Sequence, residues 1–231
     1  MMGMSNPGNR AGEQPQVHSN ADMLADGRLS APSAVRNTGP ILEAMQPFVP
    51  SGGGRALEIA SGTGQHVAAY AKQFPRVIWQ PTDLAPDRLV SINAWAAAGA
   101  AGNIRPAVRL DAAQADWDMG RYDYVTVTNL FHLISDDAAK NVISGAARAL
   151  RPGGHLFIYG PFKRHGAFRS QGDAAFHARI QAEDPKSGYK DTAWMQDTAH
   201  DYRLKRTAQI DMPANNLSLV WQKQREHNEH G

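Results

Sequence analysis

Cysteine is absent from this chain of 231 residues. Its absence excludes disulfide bonds, thiolate metal sites and a cysteine nucleophile. A metal site would therefore need histidine and carboxylate ligands, yet neither a His-x-x-x-His nor a His-Glu-x-x-His spacing occurs in the sequence. We expect no metal.

Long apolar runs and an excess of charge of one sign are also missing. No stretch approaches the ~18 consecutive apolar residues of a membrane span, and the first thirty residues contain no apolar signal-peptide core. Lys and Arg total 24, Asp and Glu total 22, and the net charge is +2. This balance favours neither a membrane nor a nucleic acid as partner, and we expect a cytoplasmic protein.

What is present is the composition of an ordinary globular domain. Hydrophobic residues make up 42% and charged residues 20% of the chain, enough for one sizeable core. The sequence predicts a flexible leader at residues 1–30, a single domain at residues 31–223 and a polar tail at residues 224–231.

From Arg55 onward, short apolar runs alternate with longer helical patterns, as in βαβ units with a mostly parallel sheet. Seven strands are predicted, at residues 55–60, 77–82, 104–110, 122–128, 154–159, 202–210 and 217–223. The predicted helices are 66–73, 84–98, 135–150, 174–183 and 192–199, with Ser135 capping the third of them. Residues 151–154 are predicted to turn the chain.

Two glycines, Gly62 and Gly64, lie between the first strand and the helix after it, where glycine lets the backbone approach a ligand. Glu58 precedes them, and Asp83 ends the second strand, where α/β nucleotide-binding folds hold ribose hydroxyls. A dinucleotide fingerprint would need a third glycine where Val67 stands, and no Gly-Lys-Ser or Gly-Lys-Thr follows the strand. Nicotinamide, flavin and nucleoside-triphosphate binding are therefore disfavoured. The alternatives are an ordinary turn for the glycines and a helix cap for Asp83.

The remaining pattern resembles the class I S-adenosylmethionine-dependent methyltransferases, with an acid-x-x-x-Gly-x-Gly motif from Glu58 to Gly64, Asp83 after the second strand and Asp111 after the third. Longer stretches resemble one small methyltransferase-like family of unknown substrate: Ala34-Val35-Arg36-Asn37, Leu57-Glu58-Ile59-Ala60-Ser61-Gly62-Thr63-Gly64-Gln65-His66, Trp79-Gln80-Pro81-Thr82-Asp83, Tyr159-Gly160-Pro161-Phe162-Lys163 and Met212-Pro213-Ala214-Asn215-Asn216. The resemblance implies a doubly wound, Rossmann-like α/β fold. Its seven-stranded sheet would be mostly parallel with an antiparallel final strand, and an amino-terminal helix would cover the cofactor.

The same resemblance implies S-adenosyl-L-methionine as the cofactor and S-adenosyl-L-homocysteine as its product. Asp83 would hold the ribose, Asp111 would lie at the adenine, and Glu58 would order the glycine loop. The implied cofactor-binding set is Arg36, Asn37, Glu58, Ala60, Gly62, Gly64, Asp83, Leu84, Asp111, Ala112 and Asn129. Ala60 stands where the superfamily often has glycine, which predicts a negative φ there. The alternative for Asp111 is a turn residue at the end of a strand.

Methyl transfer is an in-line displacement at carbon, so the protein mainly supplies alignment. A hydroxyl or ammonium acceptor would be helped by a general base. The candidate catalytic residues are Asn129, at the end of the fourth strand, and His132, the candidate base that comes three residues later. The alternative for His132 is a packed, hydrogen-bonded structural residue.

Candidate acceptor-binding residues lie at and after the end of the fifth strand and in the last hairpin: Tyr159, Phe162, Lys163, Asn215 and Asn216. Each has a structural alternative, namely core packing for the aromatic residues, a solvated charge for Lys163 and a tight turn for the asparagines. Arg203, Lys205 and Arg206 follow closely on one another on a strand near the sheet edge. That run favours edge protection, with an RNA contact as the alternative.

We therefore predict an enzyme that transfers a methyl group from S-adenosylmethionine to a small-molecule acceptor. The small-molecule part of the prediction rests on short connections without an added recognition domain and on the near-neutral charge balance. A protein or RNA methyltransferase, a nicotinamide oxidoreductase and a non-catalytic cofactor-binding module are the alternatives. The acceptor atom and the oligomeric state stay open.

Overall fold

The computed structural model describes residues 21–99 and 101–225. The predictions for residues 1–20 of the leader and residues 226–231 of the tail lie outside these ranges. In chain order the strands are β1 (Asp22–Met23), β2 (Leu29–Ser30), β3 (Gly54–Ile59), β4 (Val77–Asp83), β5 (Val108–Arg109), β6 (Tyr122–Thr128), β7 (Leu150–Pro161), β8 (Leu204–Asp211) and β9 (Asn216–Lys223).

Seven of these strands form one sheet in the order β5-β4-β3-β6-β7-β9-β8. The five strands from β3 to β7 are parallel, and β9 runs antiparallel to both of its neighbours, β7 and β8. The predicted Rossmann-like fold, with its single antiparallel strand formed by the last segment, is confirmed. Strand β6 is an almost unbroken run of β-branched and aromatic residues, as a central strand covered on both faces requires.

Helices cover both faces of the sheet. They are α1 (Pro32–Met45), α2 (Gln65–Gln73), α3 (Pro86–Ala98), α4 (Asp136–Ala149), α5 (Gln171–Glu183) and α6 (Thr192–Asp201). Helices α1, α2 and α3 contribute to one apolar core, and α4 and α6 contribute to the other. The predicted cap of α4 is confirmed, since Ser135 Oγ accepts from the Ala138 N–H at 3.2 Å. Within the described ranges, no helix is long and apolar enough to cross a membrane.

The last part of the expected leader is built into the domain. Strands β1 and β2 pair as a small antiparallel hairpin. The backbone of Leu29 is held from both sides, because its N–H donates to Ser91 Oγ at 2.8 Å and its carbonyl accepts from Trp95 Nε1 at 2.9 Å. The guanidinium of Arg28 also lies 4.3 Å from the Trp95 ring centroid. The ordered structure therefore begins before residue 31.

Two of the predicted boundaries are wrong. The third strand was expected over residues 104–110 but is reduced to β5, because Pro106 has no N–H and the Ala107 N–H donates to Asn93 Oδ1 instead of a strand. Residues 151–154 belong to β7 rather than to a turn. There the ladder to β6 shifts register, and Arg151 forms an ion pair with Asp123 at 2.7 Å.

The glycine in the middle of α4 makes room for a tryptophan ring. A Cβ at Gly145 would overlap the indole of Trp117, whose Nε1 donates to the Ala112 carbonyl at 3.2 Å. In α5, by contrast, a Cβ at Gly172 would make only an ordinary contact, 3.5 Å from Ser170 Oγ. The two helical glycines therefore differ in what an added methyl group would do.

We predict that Gly145→Ala lowers the free energy of unfolding by about 1–3 kcal/mol, the usual cost of overpacking. The matched variant Gly172→Ala should raise it by roughly 0.4–1 kcal/mol through the entropy of the unfolded chain. Urea denaturation of both proteins measures the difference. A Gly145→Ala protein as stable as the wild type would contradict the packing described for Trp117.

Candidate functional site

The glycine loop after β3 is tied to the end of the neighbouring strand β4. The Gly62 N–H donates to Asp83 Oδ2 at 2.8 Å, and the Gly64 N–H donates to the Ser61 carbonyl at 3.1 Å. Gly64 has a φ of 89°, and a Cβ there would lie 2.7 Å from Ile92 Cα. Gly62 has a φ of 59°, but a Cβ there would meet no atom within 4 Å. Gly64 is thus required by packing, whereas Gly62 faces open space.

The conformation of Ala60 corrects one prediction. Its φ is 55°, in the left-handed region, and not negative as expected. The reason is the next peptide, whose Ser61 N–H turns across to the Thr82 carbonyl at 2.8 Å. Such a conformation costs a residue with a side chain roughly 1–2 kcal/mol. The strain lies at the point where the chain leaves β3 for the glycine loop.

Glu58 lies beneath this loop and is 1% exposed. Its Oε2 atom is buried without a hydrogen-bond partner among the described residues. Burial raises the pKa of Glu58 to about 8; hydrogen bonding with Ser61 opposes the rise, and the charge of Asp83 adds to it. At neutral pH the Glu58 carboxyl therefore keeps its proton, and it can take part in a further hydrogen bond.

Asp83 uses each carboxylate oxygen once. Its Oδ2 accepts from Gly62, as described above, and its Oδ1 accepts from the Ala85 N–H at 3.1 Å. Burial raises the pKa of Asp83, opposed by these backbone hydrogen bonds. Ala85, not Asp83, is the N-cap of α3. A carboxylate oxygen has two lone pairs, so each still has capacity for a hydroxyl donor. The next residue, Leu84, is 46% exposed.

Asp111 follows β5 and closes a turn. Its Oδ1 accepts from the Ala113 N–H at 3.1 Å, and its Oδ2 accepts from Gln114 Nε2 at 3.2 Å. Its side chain is half-buried, while Ala112 is buried. These contacts are typical of a turn residue at the end of a strand, which is the alternative given above for Asp111. The Asp111 carboxylate, like that of Asp83, still has lone pairs that can accept further hydrogen bonds.

Asn129 ends β6 and lies near His132 across Gly160. Asn129 has a φ of 57°, and its N–H donates to the Tyr159 carbonyl at 2.8 Å. A Cβ at Gly160 would lie 3.9 Å from both Asn129 Oδ1 and His132 Nδ1. That Nδ1 is buried and has no hydrogen-bond partner among the described residues. Gly160 therefore lies beside both a carboxamide oxygen and a buried imidazole nitrogen.

His132 is packed among aromatic rings and is buried. Its ring centroid lies 5.9 Å from that of Phe176 and 6.3 Å from that of Tyr189. Burial lowers the pKa of His132 to about 4, and the positive charge of Lys190 adds to this shift. The imidazole is therefore neutral at physiological pH, with its unpartnered nitrogen available as a proton acceptor.

The segment Gly188 to Lys190 holds the His132 loop in place. The Gly188 N–H donates to the His132 carbonyl at 3.0 Å, and the buried Lys190 Nζ donates to the Ile134 carbonyl at 2.7 Å. Lys190 also pairs with Asp136 at 3.0 Å. The ammonium group of Lys190 is thus committed to structure.

Helix α1 is connected to the same edge by a chain of hydrogen bonds. Asn37 Oδ1 lies 2.8 Å from Nε2 of the buried His66. Asn37 opposes the rise that burial causes in the pKa of Tyr159, and the Tyr159 hydroxyl accepts from Asn216 Nδ2 at 3.0 Å. Arg36 is exposed and forms no hydrogen bond or ion pair with the residues that the structure describes. Asn37 is therefore the residue of α1 that reaches the edge.

The remaining acceptor-side candidates separate into different environments. Phe162 is 2% exposed and belongs to the apolar core, whereas Lys163 Nζ lies 6.0 Å from the Phe168 ring centroid at a cavity of about 430 Å³. Asn215 Nδ2 donates to Asp173 Oδ2 at 3.1 Å and to Ser170 Oγ at 3.3 Å. Asn215 thereby ties the last hairpin to the start of α5.

Sequence reasoning missed several residues of this site. Phe176, Tyr189 and Lys190 lie on or after α5, and no motif or helical periodicity marks them. His66 was within reach, because it directly follows the glycine motif, but a single histidine carries little signal by itself. Among residues 21–99 and 101–225, no group of three or more histidines and acids is placed to hold a metal ion.

Comparison with known proteins places the chain in a family. The model of a family described as "Protein of unknown function (DUF938)" matches residues 28–223. The chain belongs to this family. The match covers both the glycine loop and the last hairpin.

Solved structures with the same fold are methyltransferases. An O-methyltransferase family protein from Burkholderia thailandensis has a TM-score of 0.72 and 19% identity, and the match covers 84% of this chain and 58% of that one. An O-methyltransferase family 2 protein from Planctomyces limnophilus, in complex with apigenin, has a TM-score of 0.67, 15% identity and coverages of 83% and 61%. Human N-acetylserotonin methyltransferase with SAM has a TM-score of 0.69, 11% identity and coverages of 84% and 53%. The match therefore spans little more than half of each of these structures, and it shows a shared fold.

We predict that Glu58 makes stability depend on pH. The folded chain holds the Glu58 proton up to a pKa of about 8, while the unfolded chain loses it near 4.5, so the contribution of Glu58 to stability falls as the pH rises between these values. The slope for one proton is at most about 1.4 kcal/mol per pH unit. Urea denaturation at about pH 7 and about pH 8 should show a smaller fall for Glu58→Gln, because the lowered pKa values of the buried His66 and His132, which make stability rise with pH, act below this range. The exposed-site control Glu43→Gln should retain the wild-type fall; equal falls in all three proteins would contradict the assignment.

Proposed function

We propose that the protein transfers a methyl group from S-adenosylmethionine to a small-molecule acceptor. The observation that carries the proposal is the shared edge of the parallel strands. There the glycine loop, tied to Asp83, lies one strand away from Asn129 and from the unpartnered Nδ1 of His132. The methyltransferase fold of the neighbours supports the same function.

The residues at this edge fit S-adenosylmethionine by their chemistry. The open space at Gly62 would admit a ligand close to the backbone, and the spare lone pairs of Asp83 suit a ribose diol. A positively charged group beside the buried, unpartnered Oε2 of Glu58 would lower the pKa of this carboxyl and favour its ionised form. Asp111 and Ala112 would face the adenine, and Asn37 would close over the cofactor from α1. When bound, the cofactor supplies a methyl carbon activated by a sulfonium.

The protein's own part in the reaction is orientation and proton removal. Asn129 would orient groups near the methyl through its carboxamide. His132 would accept the proton of the acceptor hydroxyl or ammonium at Nδ1, because burial keeps the imidazole neutral and that nitrogen has no other partner in the described chain. The packing around His132 would exclude bulk water from this proton transfer.

The acceptor would enter from the side of Phe168, Phe176 and Tyr189. Tyr189 packs against the other two rings, and both Phe176 and Tyr189 pack against His132, with centroid separations of 5.9–6.3 Å. Lys163, at the adjoining cavity, would attract a negatively charged substituent. The apigenin bound by one structural neighbour is itself a small molecule, which supports an acceptor of this size.

We predict that S-adenosylmethionine and S-adenosylhomocysteine raise the thermal midpoint of the protein and that NAD(H) does not. A ligand at about 100 times its Kd adds roughly 2.7 kcal/mol of stability. Asp83→Asn should weaken both adenosyl ligands by about tenfold or more, since it removes a charge-assisted acceptor. The exposed control Asp87→Asn should bind as the wild type. Unchanged affinity in Asp83→Asn, measured by calorimetry, would remove the ribose assignment.

A second prediction separates the role of His132 from cofactor binding. His132→Asn should bind S-adenosylmethionine normally but lower kcat by between about a hundredfold and ten-thousandfold, the range of general-base catalysis. The assay follows radiolabelled methyl transfer into the low-mass fraction of a cell extract, with the exposed His200→Asn as control. The wild-type kcat should show no His132 inflection near pH 6.5, because its pKa is about 4. Equal losses of binding and turnover would make His132 structural, and label in protein or RNA would change the acceptor class.

A further inference from the structure

A polar cavity of about 710 Å³ lies at the edge of the sheet, between β8, α6 and the loop that follows β7. Its polar lining includes Arg164, Arg169, Gln196, Asp197, Arg206 and Gln209. It includes none of the strand ends that carry Gly62, Asp83 or Asn129. This edge cavity is therefore separate from the site proposed for methyl transfer, and a ligand could bind in it whether or not the protein transfers methyl groups.

An irregularity in β8 places two of the lining side chains together. The pairing of β8 with β9 shifts register between Arg206 and Ala208, so Thr207 is an extra residue in the strand. Arg206 pairs with Trp221 and Gln209 pairs with Leu219, and these two partners belong to the same apolar core. Residues three apart normally face opposite sides of a sheet; the bulge turns both side chains toward α6.

The two glutamines that line the cavity have amide nitrogens that no described residue engages. Gln209 Oε1 lies 3.3 Å from Arg206 Nη1, and Gln196 Oε1 lies 3.2 Å from Trp221 Nε1. Guanidinium and indole groups can only donate, so each glutamine must use its oxygen in these contacts. The NH₂ groups are left without a partner among the described residues. The amides of this wall therefore offer donors.

The guanidinium groups leave further donors unused. Arg164 is 17% exposed on its side chain and pairs with Asp211 through Nη1, yet its buried Nε has no partner in the described chain. Arg169 forms no hydrogen bond or ion pair with the described residues. The acids nearby are Asp211, already paired, Asp191, whose carboxylate accepts from the Gly166 and Ala193 N–H groups, and Asp197, exposed on α6. Two of these three carboxylates are thus already engaged, whereas the three guanidinium groups keep donors that no described residue uses.

We propose that the edge cavity binds a small molecule through an oxyanion, either a phosphate group or a carboxylate. Guanidinium groups bind both oxyanions in bidentate geometry, and amide NH₂ groups complete such a shell. A concave site of this volume suits a compact ligand, whereas a nucleic acid would need basic residues extended along a surface. Arg206, which the sequence suggested as a residue that protects the sheet edge, would then also bind the ligand.

The test titrates the full-length protein with inorganic phosphate and, separately, with citrate, at constant ionic strength set with sodium chloride. Constant ionic strength matters because surface charges are screened by salt. We expect a saturable rise in the thermal midpoint and a calorimetric binding signal with at least one of the two. The stronger of the two distinguishes a phosphate from a carboxylate ligand.

The variant that tests the site carries Arg169→Gln and Arg206→Gln. Arg164 is left intact because its ion pair with Asp211 supports the loop. The double variant should bind the oxyanion at least about tenfold more weakly. The matched control carries Arg76→Gln and Arg105→Gln, which remove the same two charges from exposed positions on the β4 side of the sheet, and should bind as the wild type.

Three results would overturn the proposal: no saturable response to either anion, equal responses in the double variant and the wild type, or binding of a single-stranded RNA oligonucleotide without binding of phosphate or citrate. The same proteins are melted with S-adenosylmethionine. A retained cofactor response in the double variant shows that its fold is intact, and a wild type without that response would contradict the proposed methyl transfer while leaving the anion result unaffected.

Discussion

The position of β3 at the middle of a parallel sheet is the constraint on which the site depends. Its backbone pairs with β4 on one side and β6 on the other, so the chain can leave the sheet only at the carboxyl end of the strand. There Ala60 adopts a left-handed conformation, and the Gly62 N–H reaches across to Asp83. One exit from the sheet thus determines the shape of the glycine loop and the direction of the Asp83 carboxylate.

Buried polar atoms without hydrogen-bond partners at the site lower the stability of the folded protein. Glu58 Oε2 and His132 Nδ1 are both buried and lack partners among residues 21–99 and 101–225. A buried polar atom without a partner costs roughly 1–3 kcal/mol. The large apolar clusters on the two faces of the sheet offset that cost. The surrounding structure holds these unpartnered groups in position. Lys190 is an example, because its ammonium group makes three hydrogen-bonded or ion-paired contacts beside the His132 loop.

Local patterns predicted much of the fold because local chemistry determines it. Strand β6 was predicted with its observed bounds, since a continuous run of β-branched and aromatic residues suits only a buried central strand. Ser135 was predicted as a cap for an equally local reason. The length of β5 depends on its neighbours, because Pro106 has no N–H to donate and the Ala107 N–H donates to Asn93 instead of a strand. The φ of Ala60 depends on the hydrogen bond from the next N–H to the Thr82 carbonyl. Both involve partners distant along the chain. The same holds for the support of the His132 loop, where the contact between Lys190 and Ile134 joins residues 56 positions apart.

The amino-terminal hairpin has a consequence for the order in which the chain folds during synthesis. The partners of Leu29, Ser91 and Trp95, leave the ribosome 62 and 66 residues after it. Contacts of such long sequence separation form slowly, because loop closure must come first. The contacts of Ser30 and Ala31 likewise form only after Gln65 has been synthesised, because its side chain accepts from the Ala31 N–H and donates to Ser30 Oγ. The described residues that are made first are therefore among those that reach their final place late, and the glycine loop is covered from the amino-terminal side only after α3 has been synthesised.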